Sequence, residues 1–241
     1  MLSLTRFQSF FTIALKSFFG ICALHWLAIS LFNTSLVTRL LDMNAEKNIP
    51  TLFSCVVIAG AMMSLFAIAK FFKTQTKNKL NLYWSVLAWV FALLCLDEWF
   101  SLHDTLGGQF AKLFIEDISH PWLVTYSVLC VIGALTCIPF FKCLPKKTAA
   151  LFIGSGAIYI LGAMGFEFLN SFFQSASVLN LIYFVEESLE MLGMLLFWWA
   201  LLDFIKTNTT INQIPFYKKT MLFFTIVFIL DTIASQIAFA S

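Results

Sequence analysis

Charge is what this chain has least of. Lys and Arg together number 15 and Asp and Glu 13, or 12% of 241 residues, where soluble domains carry about a quarter. So few charges cannot cover a water-facing surface. The formal net charge of +2 gives no ground for a nucleic-acid partner, and none is expected. Histidine occurs three times and proline five times. No long linker, low-complexity tract or internal repeat is visible, so an inverted-repeat transporter gains no direct support. The six cysteines, Cys22, Cys55, Cys95, Cys130, Cys137 and Cys143, form no C-x-x-C pair. Each lies in or at the end of an apolar run, where a small buried apolar role is expected over a disulfide framework or a zinc site.

What is there instead is apolar length. The chain is 60% hydrophobic with a mean hydropathy of +0.88, and it holds 29 Phe and 7 Trp. Apolar runs recur at about 7–32, 51–72, 82–103, 120–141, 148–169, 180–204 and 220–240. Each matches the roughly 20 residues that cross a bilayer. The fold class is therefore all-α: a polytopic integral membrane protein, a bundle of about seven transmembrane helices forming one domain over residues 1–241. The first run is too long for a signal-peptide core and no A-x-A-like site follows it, so it reads as the first helix.

Basic residues sort by side. Arg6, Lys70, Lys73, Lys77, Lys79, Lys142, Lys146, Lys147, Lys206, Lys218 and Lys219 fall on one face, and Arg39, Lys47 and Lys112 on the other. The positive-inside rule then sets the N-terminus in the cytoplasm and the C-terminus outside. Short loops and a lysine-rich inner face fit a bacterial inner membrane. Trp84, Trp89, Trp99, Trp122, Trp198 and Trp199 mostly lie near span ends and read as an interfacial belt.

Against this background the acids stand out. The stretch Leu96-Asp97-Glu98-Trp99-Phe100-Ser101-Leu102-His103-Asp104 closes the third run. Glu167 is near the outer end of the fifth, and Glu186, Glu187 and Glu190 lie in the outer half of the sixth. At 1.5 Å per residue, Asp97 and Glu98 sit roughly 8 Å below the outer boundary, and Glu186 to Glu190 about 9–15 Å below it. Three helices thus bring carboxylates to one layer of the outer leaflet, with His103, Asp104 and His120 at its rim. At about 100° per residue, Glu186 and Glu190 share a face with Gly193, where a neighbouring backbone could approach closely. Glu116 and Asp117, in the loop beyond, read as solvated.

No Lys or Arg lies at this depth in the spans. Ionised carboxylates there must be hydrated, protonated or bound to a cation. The expected metal ligands are Glu98, His103, Glu167, Glu186 and Glu190, with Asp97 or Glu187 as general base. Carboxylates with an imidazole suit Fe, Mn or Zn; carboxylates alone suit Ca or Mg. Lys16 and Asp231, at similar depth in the first and seventh runs, are expected to form a structural ion pair. His25 is expected to be a hydrogen-bonded structural residue.

Known chemistries narrow the choice. The last run has no lysine for a retinal Schiff base. The three histidines form no H-x-x-x-H pair, so the ligand pattern of seven-helix zinc hydrolases is absent, and no Glu-x-x-His pair marks a ferritin-like di-iron site. The first expectation is a membrane-embedded metal-dependent enzyme acting on a lipid-like or other apolar substrate from the bilayer. A proton- or cation-coupled transporter is the second, with the acids as the ion site. A non-catalytic subunit or assembly factor is the third.

Overall fold

The computed structural model describes residues 4–31, 36–75, 80–103, 109, 121–208 and 231. Among these residues every regular element is a helix. Lipid offers the backbone no hydrogen-bond partner, so apolar runs of this length close their bonds internally. The elements are α1 (Leu4–Leu31), a short α2 (Leu36–Leu41), α3 (Ile49–Gln75), α4 (Leu80–Phe100), α5 (Pro121–Cys143), α6 (Lys146–Ile160), a π-helical turn (Leu161–Phe166), α7 (Glu167–Asn170) and α8 (Ala176–Thr207). Six spans are long and apolar enough to cross a membrane, α6 continuing through the π turn into α7. They follow the first six apolar runs to within a few residues. The chain is an all-α polytopic membrane protein. The seventh expected span, 220–240, lies outside the described residues except for Asp231.

Two helices organise the bundle. α3 packs along α4 and against α8, and α8 also carries α6, the π turn and α1. Ile58, Leu65, Ile68, Leu195 and Leu201 are fully buried between them. The tryptophans correct the expected belt: Trp84, Trp99, Trp122 and Trp198 are buried, whereas Trp89 and Trp199 are exposed. Trp84 is enclosed by Phe72, Phe140, Phe152 and Phe204, with ring centroids 4.9–6.3 Å away. Large rings fill the volume where five helices, α3, α4, α5, α6 and α8, meet, and that wins over an interfacial position.

The two ends of the bundle differ. At the lysine-rich end, Lys147 Nζ lies 2.8 Å from Asp203 Oδ2, tying the start of α6 to the end of α8. The Lys147 side chain is mostly exposed, so the pair contributes at most about 1 kcal/mol. At the acidic end, the turn before α3 is pinned by buried polar groups. His25 Nδ1 accepts the Met43 N–H at 3.1 Å, and its ring stacks on Phe184. Asn48 donates to the Asp42 carbonyl, and its Oδ1 accepts the Thr51 N–H at 3.1 Å. This turn carries Glu46 and Lys47, the latter in the left-handed region at φ 55°.

The expected Lys16–Asp231 pair is not formed. Asp231 Oδ2 accepts Trp99 Nε1–H at 2.9 Å and lies 3.9 Å from Lys47 Nζ. Lys16 is exposed near the middle of α1. Trp99 and Lys47 belong to the acidic end, so Asp231 sits a half-span away from Lys16. Counting residues into two parallel runs equated depths that the packing does not.

Candidate functional site: an acidic cavity

A cavity of about 450 Å³ opens inside the acidic end. α4 supplies Leu94, Asp97 and Glu98, and His103 follows just beyond it. α5 supplies Trp122, Tyr126 and Cys130; α6 and the π turn supply Tyr159, Ile160, Ala163 and Met164. Glu167 and Asn170 come from α7, and Tyr183, Glu186, Glu187 and Glu190 from α8. The turn before α3 covers it with Met43, Asn44, Ala45 and Glu46. Among the described residues, seven carboxylates and one imidazole thus line a single cavity, and no Lys or Arg does.

Close helix contact brings these walls together. A Cβ at Gly193 would stand 2.7 Å from the Tyr159 backbone nitrogen, so only glycine lets α8 meet α6 there. A Cβ at Gly162 would stand 2.8 Å from the Glu186 carbonyl oxygen. Gly162 is the second residue of the π turn, whose wider i→i+5 spacing changes the angle at which the helix resumes at Glu167.

Asp97 is held on both oxygens. Its Oδ1 accepts the Tyr126 hydroxyl at 3.1 Å, and its Oδ2 lies 3.3 Å from His103 Nδ1. In a continuous helix, residues six apart are about 9 Å apart along the axis and on different faces. Ser101, at φ 49°, ends α4 and lets the chain fold His103 back over Asp97. The imidazole then rests against Trp122, with ring centroids 4.9 Å apart. A carboxylate on one ring nitrogen fixes imidazole orientation. Glu167 Oε2 accepts from Asn170 Nδ2 at 2.9 Å. Glu186 is 8% exposed, and its Oε2 is buried with no hydrogen-bond partner.

Asp97, Glu98, His103, Glu167, Glu186, Glu187 and Glu190 therefore line one cavity. They do not share a coordination sphere: among the described residues, no three His, Cys, Asp or Glu side chains are gathered so that they could hold a metal ion. Asp104, His120, Glu116 and Asp117 lie outside the described residues. His25 does not itself line the cavity but pins the covering turn through the Met43 N–H. Sequence reasoning missed Glu46, which sits in a polar loop where depth cannot be counted. It also missed Trp122, Tyr126 and Tyr159, which look like ordinary residues of apolar runs. Tyr183 had a signal: it falls at i, i+3, i+4, i+7 with Glu186, Glu187 and Glu190 on one helical face.

A family model described as a domain of unknown function, DUF8692, matches residues 10–205. Comparison with curated proteins finds no match. Comparison with solved structures finds none either.

Proposed function

The chain belongs to the DUF8692 family, and within it we propose a membrane-embedded enzyme whose acidic cavity binds a divalent cation and an apolar substrate together. The observation that carries this reading is the excess of carboxylates: among the described residues seven of them and no Lys or Arg line the cavity, and Glu186 Oε2 is buried without a hydrogen-bond partner. A buried carboxylate oxygen without a donor is costly, and a bound cation removes the cost. The cavity volume falls in the range of small-molecule sites, about 300–1,000 Å³. A lone ion does not need that space; an ion beside a substrate does. Glu98, Glu186 and Glu190 are the proposed ligands, with Glu167 and His103 beside them. Their flexible side chains would have to draw inward on the ion, since none of them is already gathered for it.

The geometry changes the role proposed for Asp97. With Tyr126 on one oxygen and His103 on the other, it is better suited to orient the imidazole than to take a proton from substrate. Glu187 is then the proposed general base. A bound divalent ion would supply Lewis acidity or an activated water. Lysine-rich loops at the other end support a cytoplasmic N-terminus, and we keep the bacterial inner membrane as the proposed location.

Metal analysis of the purified protein, with Glu186→Gln and Glu190→Gln beside it, tests the reading. Stoichiometric metal in the native chain and its loss in both variants is the expected result. No bound metal, together with proton- or cation-driven flux in liposomes, would replace the enzyme with a transporter. Neither metal nor flux would leave a structural subunit.

A further inference from the structure

The cover of the cavity is held by one nitrogen with two incompatible duties. His25, buried on α1, places Nδ1 3.1 Å from the Met43 backbone nitrogen and 3.2 Å from the Leu41 carbonyl oxygen. An unprotonated Nδ1 accepts the Met43 N–H and leaves the carbonyl facing a lone pair. A protonated Nδ1 donates to the carbonyl and leaves the N–H facing another hydrogen. Asp42 favours the second state. Its Oδ1 lies 4.0 Å from the same nitrogen, and its side chain is 35% exposed. It is both a counter-charge for an imidazolium and a link from the ring to water.

The ring has little room to resolve this conflict by moving. It stacks on Phe184 of α8, with centroids 5.4 Å apart, and meets Trp26 edge-on at 5.9 Å. The adjustment falls on the turn instead. Met43, Asn44, Ala45 and Glu46 line the cavity, so the peptide that His25 holds is the first link of the cover. Asp42 accepts the Asn44 N–H on its side chain and the Ala45 N–H on its carbonyl. These bonds tie the turn to itself, whereas His25 ties it to α1. The charged and titratable groups nearest in the chain to these contacts are Asp42, Glu46 and Lys47 of the turn, Arg39 of α2, and Tyr183 and Glu187 near Phe184 on α8; α3 carries none before Lys70. Among the described residues, Asp42 is the acid that comes within 4.0 Å of the ring.

We infer that His25 is a proton-operated latch on the cavity cover: protonation exchanges the Met43 N–H for the Leu41 carbonyl and the Asp42 carboxylate, and frees residues 43–46 to admit or release what the cavity binds. This deepens the proposed function and rests on that cavity being a binding site. The direction follows from the hydrogen bonds. A neutral ring satisfies the Met43 N–H, whose residue is 3% exposed. An imidazolium repels that N–H and gains charge-assisted bonds elsewhere. A buried N–H without an acceptor is costly, so the peptide turns until it finds one, and the exposed Asn44 and Glu46 turn with it. The proton passes from water to Asp42 and from Asp42 to Nδ1.

The test is amide hydrogen–deuterium exchange of the native chain in detergent, read by mass spectrometry at about pH 8 and about pH 5, the range over which histidine changes charge. Rates are divided by those of the same peptides in the unfolded chain, which removes the intrinsic pH dependence of exchange. Residues 42–48 are expected to exchange about tenfold faster at the lower pH, while residues 57–65 of α3 stay protected. His25→Asn sets an amide oxygen near the place of Nδ1, accepts the Met43 N–H and takes up no proton. Its turn is expected to keep the native pH 8 rate at both pH values. No acceleration in the native chain, equal acceleration in His25→Asn, or equal loosening of α3 overturns the inference. Where His25→Asn does not fold, Asp42→Asn decides: without the counter-charge the acceleration is expected to fall to about threefold or less, and a full tenfold overturns the latch. Metal content of the same samples separates it from the reading it rests on. Metal without acid-driven release removes the latch alone; release without metal keeps the latch and removes the metal enzyme.

Discussion

Glu186 concentrates the question at the scale of single residues. Its Oε2 is buried and unpartnered, so in the apo state the side chain works against stability rather than for it. Glu186→Gln, of equal size and without charge, should weaken cation binding by about tenfold or more while leaving thermal stability unchanged or raised by up to about 2 kcal/mol. Equal loss of both, in titration calorimetry and thermal unfolding, would mark Glu186 as structural. Asp231 gives a second contrast. Asp231→Asn should cost up to about 1 kcal/mol through its partners Trp99 and Lys47, and Lys16→Met should stay within about 0.5 kcal/mol. If Lys16→Met were the more damaging change in a melting assay, the observed pairing would be wrong. Six of the seven acids that line the cavity, all but Glu46 of the polar turn, were legible because a carboxylate in an apolar run is rare and its depth can be counted. Their partners were not: Tyr126 carries no charge, and Lys47 reaches Asp231 only through a left-handed turn.

At the scale of elements, the contact of α6 with α8 governs the cavity's shape. Gly193→Ala places a methyl group 2.7 Å from the Tyr159 backbone. Separating the two helices should cost about 1–3 kcal/mol, seen as a lower melting temperature in detergent. A change under about 0.5 kcal/mol would show that the helices give way freely. That close approach could be anticipated, since Gly193 continues the face of Glu186 and Glu190. The π turn could not, because hydropathy reads Leu161–Phe166 as more of the same apolar helix. It sets the rotation of everything beyond it. Inserting one alanine between Phe166 and Glu167, beyond the π turn, should rotate Glu167 and Asn170 by about 100°. Helix content by circular dichroism should hold while cation binding falls to the level of Glu167→Gln. Binding unchanged by the insertion would show that Glu167 is dispensable there.

At the scale of the whole molecule, six of seven expected spans were readable because lipid allows so few backbone solutions. How they pack was not. Four of six tryptophans taken for a belt lie buried, since hydropathy records how apolar a side chain is and not whether lipid or protein surrounds it. What the assembled bundle adds is polarity along its axis, with lysines at one end and a cavity of carboxylates at the other. In an energised membrane that axis lies along an electric field. The level of Cys130, Met164 and Glu190, eight residues or about 12 Å down α5 from Trp122, is roughly two-fifths of the way through a 30 Å core. A divalent cation arriving from outside would cross that share of the voltage, about 2 kcal/mol at 100 mV, inside negative. Its affinity should then rise about twentyfold on imposing a potassium diffusion potential on proteoliposomes. An affinity indifferent to voltage would mean that the carboxylates are reached through water at bulk potential. The acidic cavity would otherwise hold its ion most tightly when the membrane is charged and release it as the charge collapses.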